Sequence, residues 1–338
     1  MNGRLENELK IFQQIEEKLV DMPDYVIEWY YYLKANEQSA MTCRDYIRKI
    51  THFMSWTDAK IKGDGDTLSK ISASCITKYF VSIKTHYATV NGKCTEVETS
   101  DSYKQCVWSC LNNFFGFLHK RGYIPENYLQ AAGIERPKNN DLERIKATRI
   151  HLTYDDFKNI MSVMDDTRYC FDRFNSRDKA MMLLFMTTGM RESALRSINV
   201  GDVDLENGVI RVVDKGRVRH EYYLDKTVVD VLTTYINDRN RMTELATEAL
   251  FISRNQERIS VNGIVKIVKK YSSAGLGYEI SPHKIRGGLA SILYEQKKDA
   301  EFVRRVIGHS NISTTQRYIV TDNKEREEAV NLVTAMIM

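Results

Sequence analysis

Nine positions separate His309 from Tyr318 in the stretch VIGHSNISTTQRYI, and little between them looks like core. Three upstream stretches also hold side chains suited to anion binding or proton transfer. They are TTGMRESAL with Arg191, VVDKGR with Lys215, and SPHKIRGGLAS with His283 and Arg286. A guanidinium stays ionised and presents a planar fork that fits two oxygens of a phosphate. A phenol, with an ordinary pKa of about 10, becomes a nucleophile only beside a proton acceptor in a positive setting. An imidazole or an ammonium can receive or supply that proton. Each residue alone has a plainer reading. A single arginine is usually a surface or cap residue, a HxxR turn after Pro282 simply starts a helix, and Tyr318 is one of 19 tyrosines.

A scaffold must position these groups, and its pattern changes along the chain. From Pro23 to about Gln130 the periodicity is helical. In SAMTCRDYIRKITHFMSW, Tyr46, Ile47, Ile50, Phe53 and Met54 form one apolar face after Ser39, a favoured N-cap. The opposite face carries Arg44, Arg48 and His52, either as a solvated face or as a positive edge that meets phosphates. In SYKQCVWSCLNNFFGFLHKRG, Val107, Leu111, Phe114, Phe115 and Leu118 share a face, and Lys120 and Arg121 make a basic last turn before Gly122. Between them, HYATVNGKCTEVETSD lacks helical periodicity and reads as an exposed loop. ERPKNNDLERIKATRIH is polar, contains Pro137 and reads as the interdomain linker, although its basic residues could also track a phosphate backbone.

After the linker, Thr153 is a good N-cap for DDFKNIMSVM, and RDKAMMLLFMTT is expected to end at Gly189. GVIRVVDKGRVRHEYYL then reads as two short strands, 209–213 and 218–224, joined by a tight turn at Asp214, Lys215 and Gly216. Helices resume near Thr227. The expected fold class is mainly α with a small antiparallel β-sheet (α+β). The expected segments are an N-terminal helical extension 1–22, a helical domain 23–135, a linker 136–151, a second domain 152–320 and a C-terminal helix 321–338.

Composition excludes several classes. At 338 residues the chain exceeds what one core comfortably supports, so two domains are expected. With 43% hydrophobic and 28% charged residues, a disordered chain is not. No run of about 18 apolar residues suggests a membrane span, and the start MNGRLENELKIF is unlike a signal peptide, so cytoplasmic residence is expected. The six cysteines lack CxxC spacing and read as reduced thiols, mostly core filler, with no metal framework. A net charge of +4 decides little about partners.

In their order, the four stretches resemble the catalytic domain of the tyrosine recombinase (phage integrase) family, of the mobile-element integrase or transposase type. TTGMR is similar to the family's T-G-x-R, HKIR to its H-x-x-R, and IGHSNISTTQRY to its L-G-H-S-x-x-x-T-T-x-x-Y. The resemblance covers roughly Leu152 to Tyr318. By position and periodicity, the first helical region looks like the family's core-binding (SAM-like) DNA-binding domain, and the implied architecture is a two-domain C-shaped DNA clamp.

The resemblance implies DNA strand cleavage and rejoining at specific sites through a 3′-phosphotyrosyl intermediate, without metal, nucleotide or other cofactor. It assigns Tyr318 as nucleophile, Arg191 and Arg286 as phosphate grips, His283 as base and donor, His309 as a further donor, and Lys215 as the acid for the leaving oxygen. Arg217, Arg219 and His220 would seat the hairpin on DNA. Arg44, Arg48, Lys120, Arg121, Lys266 and Lys269 are further candidates for phosphate contact. Tyr294 competes as nucleophile but lies on the apolar helix LASILYEQ and reads as core.

The implied partners are duplex DNA with specific recombination sites, a homo-tetramer on two such sites, and an accessory directionality factor where direction is controlled. The implied location is the cytoplasm, with nucleoid association when DNA is bound. Val330, Val333 and Ile337, flanked by Leu332 and Met336, would let the C-terminal helix dock on a neighbouring protomer. The chain departs from the family pattern twice: the acidic residue three positions after the first arginine is Ala194, and the often basic residue after the HxxR arginine is Gly287. Chromosome or plasmid dimer resolution of the Xer type, a type IB topoisomerase and a noncatalytic DNA-binding regulator remain the alternatives.

Overall fold

The computed structural model describes residues 3–61, 67–90, 93–138, 152–166, 174–213, 219–242 and 247–308. Lys215, Arg217, His309, Tyr318 and the C-terminal helix expected over 321–338 lie outside these. The chain divides into two compact units, with Leu5–Arg149 forming one and Ile150–Met338 the body of the other.

The first unit is built on long helices that start at good caps. They are α1 (Gly3–Leu19), α2 (Asp24–Ala35), α3 (Ala40–Lys60), α4 (Ala73–Ser82), α5 (Asp101–Lys120) and the single turn α6 (Tyr128–Ala131). The Ser39, Ser72 and Ser100 side chains each accept the N–H three residues on, at the starts of α3, α4 and α5. Ile47, Ile50, Phe53 and Met54 of α3 meet Leu111, Phe114, Phe115 and Leu118 of α5 in one core. Trp29 of α2 stacks on Tyr46 with centroids 5.9 Å apart, packs edge-on to Phe114 at 4.9 Å and donates its indole N–H to Asn113 Oδ1 at 2.8 Å. Ile11, Ile15 and Leu19 of α1 are buried in this same core, so the helix that the sequence sets apart within residues 1–22 packs as part of the unit.

The stretch expected to be a loop is instead an antiparallel hairpin, β1 (Thr85–Val90) with β2 (Lys93–Glu98). The sequence holds the cue, because Asn91-Gly92 between β-prone runs is a strong short-range hairpin signal. Exposure on both faces hides it from an apolar-alternation reading: Thr85, His86, Tyr87, Thr95, Glu96 and Glu98 are all exposed.

In the second unit the elements are α7 (Tyr154–Asp165), α8 (Asn175–Thr188), α9 (Glu192–Ser197), a sheet in the order β3 (Val203–Asp204), β4 (Val209–Val213), β5 (Arg219–Tyr223), then α10 (Lys226–Met242), α11 (Val261–Leu276), α12 (Pro282–Lys297) and α13 (Ala300–Ile307). Thr153 and Asp156 close a capping box on α7. Helix α8 is buried on nearly every side, which explains why MMLLFM shows no helical stripe. Strand β3 has only two residues, too few to leave a period-2 signal. No helix among the described residues is long and apolar enough to cross a membrane. Of the cysteines, Cys43, Cys75 and Cys110 are buried while Cys94 and Cys106 are exposed. Burial pushes the Cys43 thiol up to about 11, which keeps it protonated and unreactive.

Candidate active site

The site is assembled around the end of α8. Gly189 caps this helix in the left-handed region (φ 61°), donating its N–H to the Phe185 carbonyl at 3.1 Å. The chain then turns so that Arg191 is the extended N-cap residue of α9. Six residues are too few for a helix that stands by itself. Ala194, Leu195 and Ser197 bury one side of α9 in the core. At its far end, Arg258 donates to the carbonyls of Arg196 and Ile198 at 3.0 and 3.2 Å, and to Asn199 Oδ1 at 2.7 Å. A cation there satisfies terminal carbonyls and suits the negative helix end.

Helix α12 brings the second half. Pro282 occupies its first turn, placing His283 on the exposed side and Arg286 inside, 3% exposed. Arg286 Nη1 donates to the Gly189 carbonyl, the backbone group two residues before Arg191. His283 Nε2 lies 4.0 Å from Oε1 of Glu192, the residue after Arg191. The TTGMRE and SPHKIR stretches, about 90 residues apart in sequence, thus meet in one place.

Helix α13 and the sheet reach the same neighbourhood. A β carbon added to Gly189 would stand 3.0 Å from Leu289 Cδ2, 3.6 Å from Ile307 Cγ2 and 3.8 Å from Arg286 Cγ. Helix α13 is amphipathic, capped by Asp299, and buries Val303 and Ile307 with Ala290 of α12. It ends at Gly308, where φ is +75° and a β carbon would lie 3.3 Å from His220 Cε1 on β5. The residue before His309 therefore adjoins the strand that leads back toward Lys215. Tyr294 packs beside this α12–α13 cluster, in keeping with its reading as core.

The remaining candidates are dispersed. Arg44 and Arg48 are exposed on α3, where Arg48 pairs with Asp45 at 3.1 Å. Lys120 is exposed at the end of α5, and Arg121 pairs with Glu28 of α2 at 3.2 Å. Lys266 is exposed on α11, and Lys269 pairs with Glu279 at 2.7 Å. Arg219 lies on β5. Among the described residues, no cluster of three or more His, Cys, Asp or Glu side chains is placed to hold a metal ion.

Sequence reasoning missed the ion pair that anchors the start of α8. Arg177 and Asp178 are both buried, with guanidinium and carboxylate 2.7 Å apart. Arg177 also donates to the Ile252 carbonyl at 2.7 Å, and Tyr271 of α11 donates to Asp178 at 3.3 Å. Burial holds the Asp178 carboxyl above the usual carboxylate range, against the opposing pull of Arg177. Neighbouring Arg and Asp read as surface charges, and no local signal distinguishes them.

Residues 151–325, just over half of the chain, match the phage integrase family. The chain belongs to the phage integrase family. Among curated relatives of this integrase-family chain, it is 30% identical over 227 residues to the tyrosine recombinase XerC of Caldanaerobacter subterraneus subsp. tengcongensis. That match covers 65% of this chain and 60% of the relative, so the chain spans under two thirds of that protein's length. Two solved structures share the fold. The XerH site-specific recombinase bound to a palindromic difH substrate has a TM-score of 0.65 at 16% identity, over 89% of this chain and 82% of that one. A lambda integrase tetramer bound to a Holliday junction has a TM-score of 0.57 at 17% identity, over 88% and 76%. The mainly helical class with small antiparallel sheets agrees with these folds.

Proposed function

We propose that this integrase-family protein is a site-specific DNA recombinase that cuts and rejoins strands through a 3′-phosphotyrosyl link. The observation that carries the reading is the meeting of the two motif stretches, with Arg286 on the Gly189 carbonyl and His283 facing Glu192. Arg191 and Arg286 grip the nonbridging oxygens of the scissile phosphate, and His309 adds a donor, with His283 able to donate once it carries the tyrosine's proton. The Tyr318 oxygen attacks phosphorus as its O–H proton passes to His283. The new O–P bond forms and the bond to the 5′-oxygen breaks, leaving its electron pair on that oxygen, which takes a proton from Lys215. One phosphodiester replaces another, so a second 5′-hydroxyl can reverse the step on a partner strand without ATP. The catalytic groups lie in the second unit, and the first acts as the core-binding DNA domain.

The substrate is duplex DNA bearing specific sites, engaged by a homo-tetramer on two such sites in the cytoplasm. Integration or excision of a mobile element is the leading role. It is supported by the match of residues 151–325 to the phage integrase family. Likeness to a XerC recombinase favours a second reading, the resolution of replicon dimers. Plasmids carrying element ends, set against plasmids carrying replicon resolution sites, separate the two by which pair recombines.

The chemical reading is tested by covalent capture on a nicked duplex whose sequence the protein has selected from a random pool. Wild-type protein is expected to form an adduct stable to denaturant. Tyr318→Phe is expected to bind the duplex nearly as well and to form none. An adduct formed by the Phe variant would show that another residue is the nucleophile.

A further inference from the structure

We propose that Glu192 is a positioning residue for His283, supplying in this chain a carboxylate that position 194 lacks. The inference rests on the function proposed above. Ala194 stands where the family pattern has an acid, and its side chain is buried in the apolar core at 2% exposure. Glu192 sits two residues earlier, in the first turn of α9, and is the acidic group that the structure brings to the histidine, 4.0 Å from Oε1 to Nε2.

The two side chains differ in how they are held. His283 is 65% exposed, so packing alone does not fix its ring, and an imidazole free to turn presents the wrong nitrogen part of the time. Glu192 is 24% exposed on a short helix that Arg258 pins at its far end and the core buries along one side. With Nε2 turned to the carboxylate, Nδ1 is the ring nitrogen left to exchange a proton. As an attacking hydroxyl gives up its proton, the O–H bond breaks, an N–H bond forms at Nδ1, and the hydroxyl's electron pair turns to phosphorus. The ring becomes an imidazolium facing Glu192. The attraction grows as the proton moves, so it accelerates the chemical step without tightening DNA binding.

The test uses the full chain and single-turnover capture on the selected nicked duplex. Glu192→Gln keeps the side-chain shape and removes the charge. It is expected to slow capture by about 10- to 100-fold, part of the ~10²–10⁴ that positioned proton transfer contributes, with DNA binding unchanged. In a His283→Gln background the same substitution is expected to have no further effect, because its partner is gone. A Glu192→Gln variant that captures DNA at the wild-type rate, or one whose loss is equal in both backgrounds, overturns the role and leaves the proposed recombinase standing. Absence of capture by the wild-type protein overturns the recombinase reading and the role of Glu192 with it.

Discussion

The two units bury different chemistry. In the first, the core is crowded with rings from Trp29, Tyr30, Phe53, Tyr79, Phe114 and Phe115, and the one buried charged residue among those described is Lys49, paired with Asp45 on its own helix. In the second, Arg177, Asp178, Arg239 and Arg286 are all buried, and three of these four are guanidiniums bonded to main-chain carbonyls. The cause lies in the backbone. Long capped helices satisfy their own N–H and C=O groups. The second unit is broken by a six-residue helix, a two-residue strand and isolated β-bridges, which leave buried carbonyls in need of donors. A guanidinium brings five donors to such a place. The same device that mends the fold also holds Arg286 on the Gly189 carbonyl, two residues before Arg191.

The largest expected effect strikes the charged core. Asp178→Ala leaves Arg177 buried without its carboxylate and should cost about 3–5 kcal/mol. Denaturant melts resolved by hydrogen exchange should show the loss in the second unit, with the first unit unchanged. Joint replacement by Arg177→Met and Asp178→Leu should recover part of it; the Ile252 carbonyl would still lack its donor. If the single substitution proves harmless, buried charge does not distinguish the two units.

A middle-sized effect is expected at Arg258. Arg258→Ala strips the carbonyls of Arg196 and Ile198 of their donor and should cost about 1–3 kcal/mol. It should also slow covalent capture, since the helix that starts at Arg191 loses its far anchor. A variant destabilised to that degree yet fully active would uncouple the mending of the fold from the positioning of the site.

The smallest effect belongs to the first unit. Ser39→Ala removes the oxygen that accepts the Thr42 N–H at the start of α3 and should cost about 1 kcal/mol. Thermal melting of the variant against wild type measures it. A loss as large as that at Asp178 would mean that local caps, as much as ring packing, hold the helical unit.

These differences bear on what could be read before any fold was known. Ser39, Thr153 and Gly189 mark helix ends through bonds to residues within four positions, so α3, α7 and the end of α8 were legible. The β1–β2 hairpin was not, because neither face alternates in burial and only Asn91-Gly92 marked it. An acid near His283 was not legible either: the family pattern has one at position 194, which here is Ala194, and only the fold shows the Glu192 carboxylate 4.0 Å from His283. Side-chain direction on α9, set by the burial of Ala194 and Leu195, decides between them.

By itself the sequence determined the capped starts of α3 and α7, the end of α8, the two small central strands, and the types and order of the residues able to handle a phosphate, since each depends on neighbours a few positions away. Tertiary structure alone decided which of them meet. The Arg286 to Gly189, Arg177 to Ile252 and Arg258 to Arg196 bonds join residues 97, 75 and 62 positions apart. No local periodicity encodes such a pairing. It exists because folding buried carbonyls that only a distant guanidinium could reach.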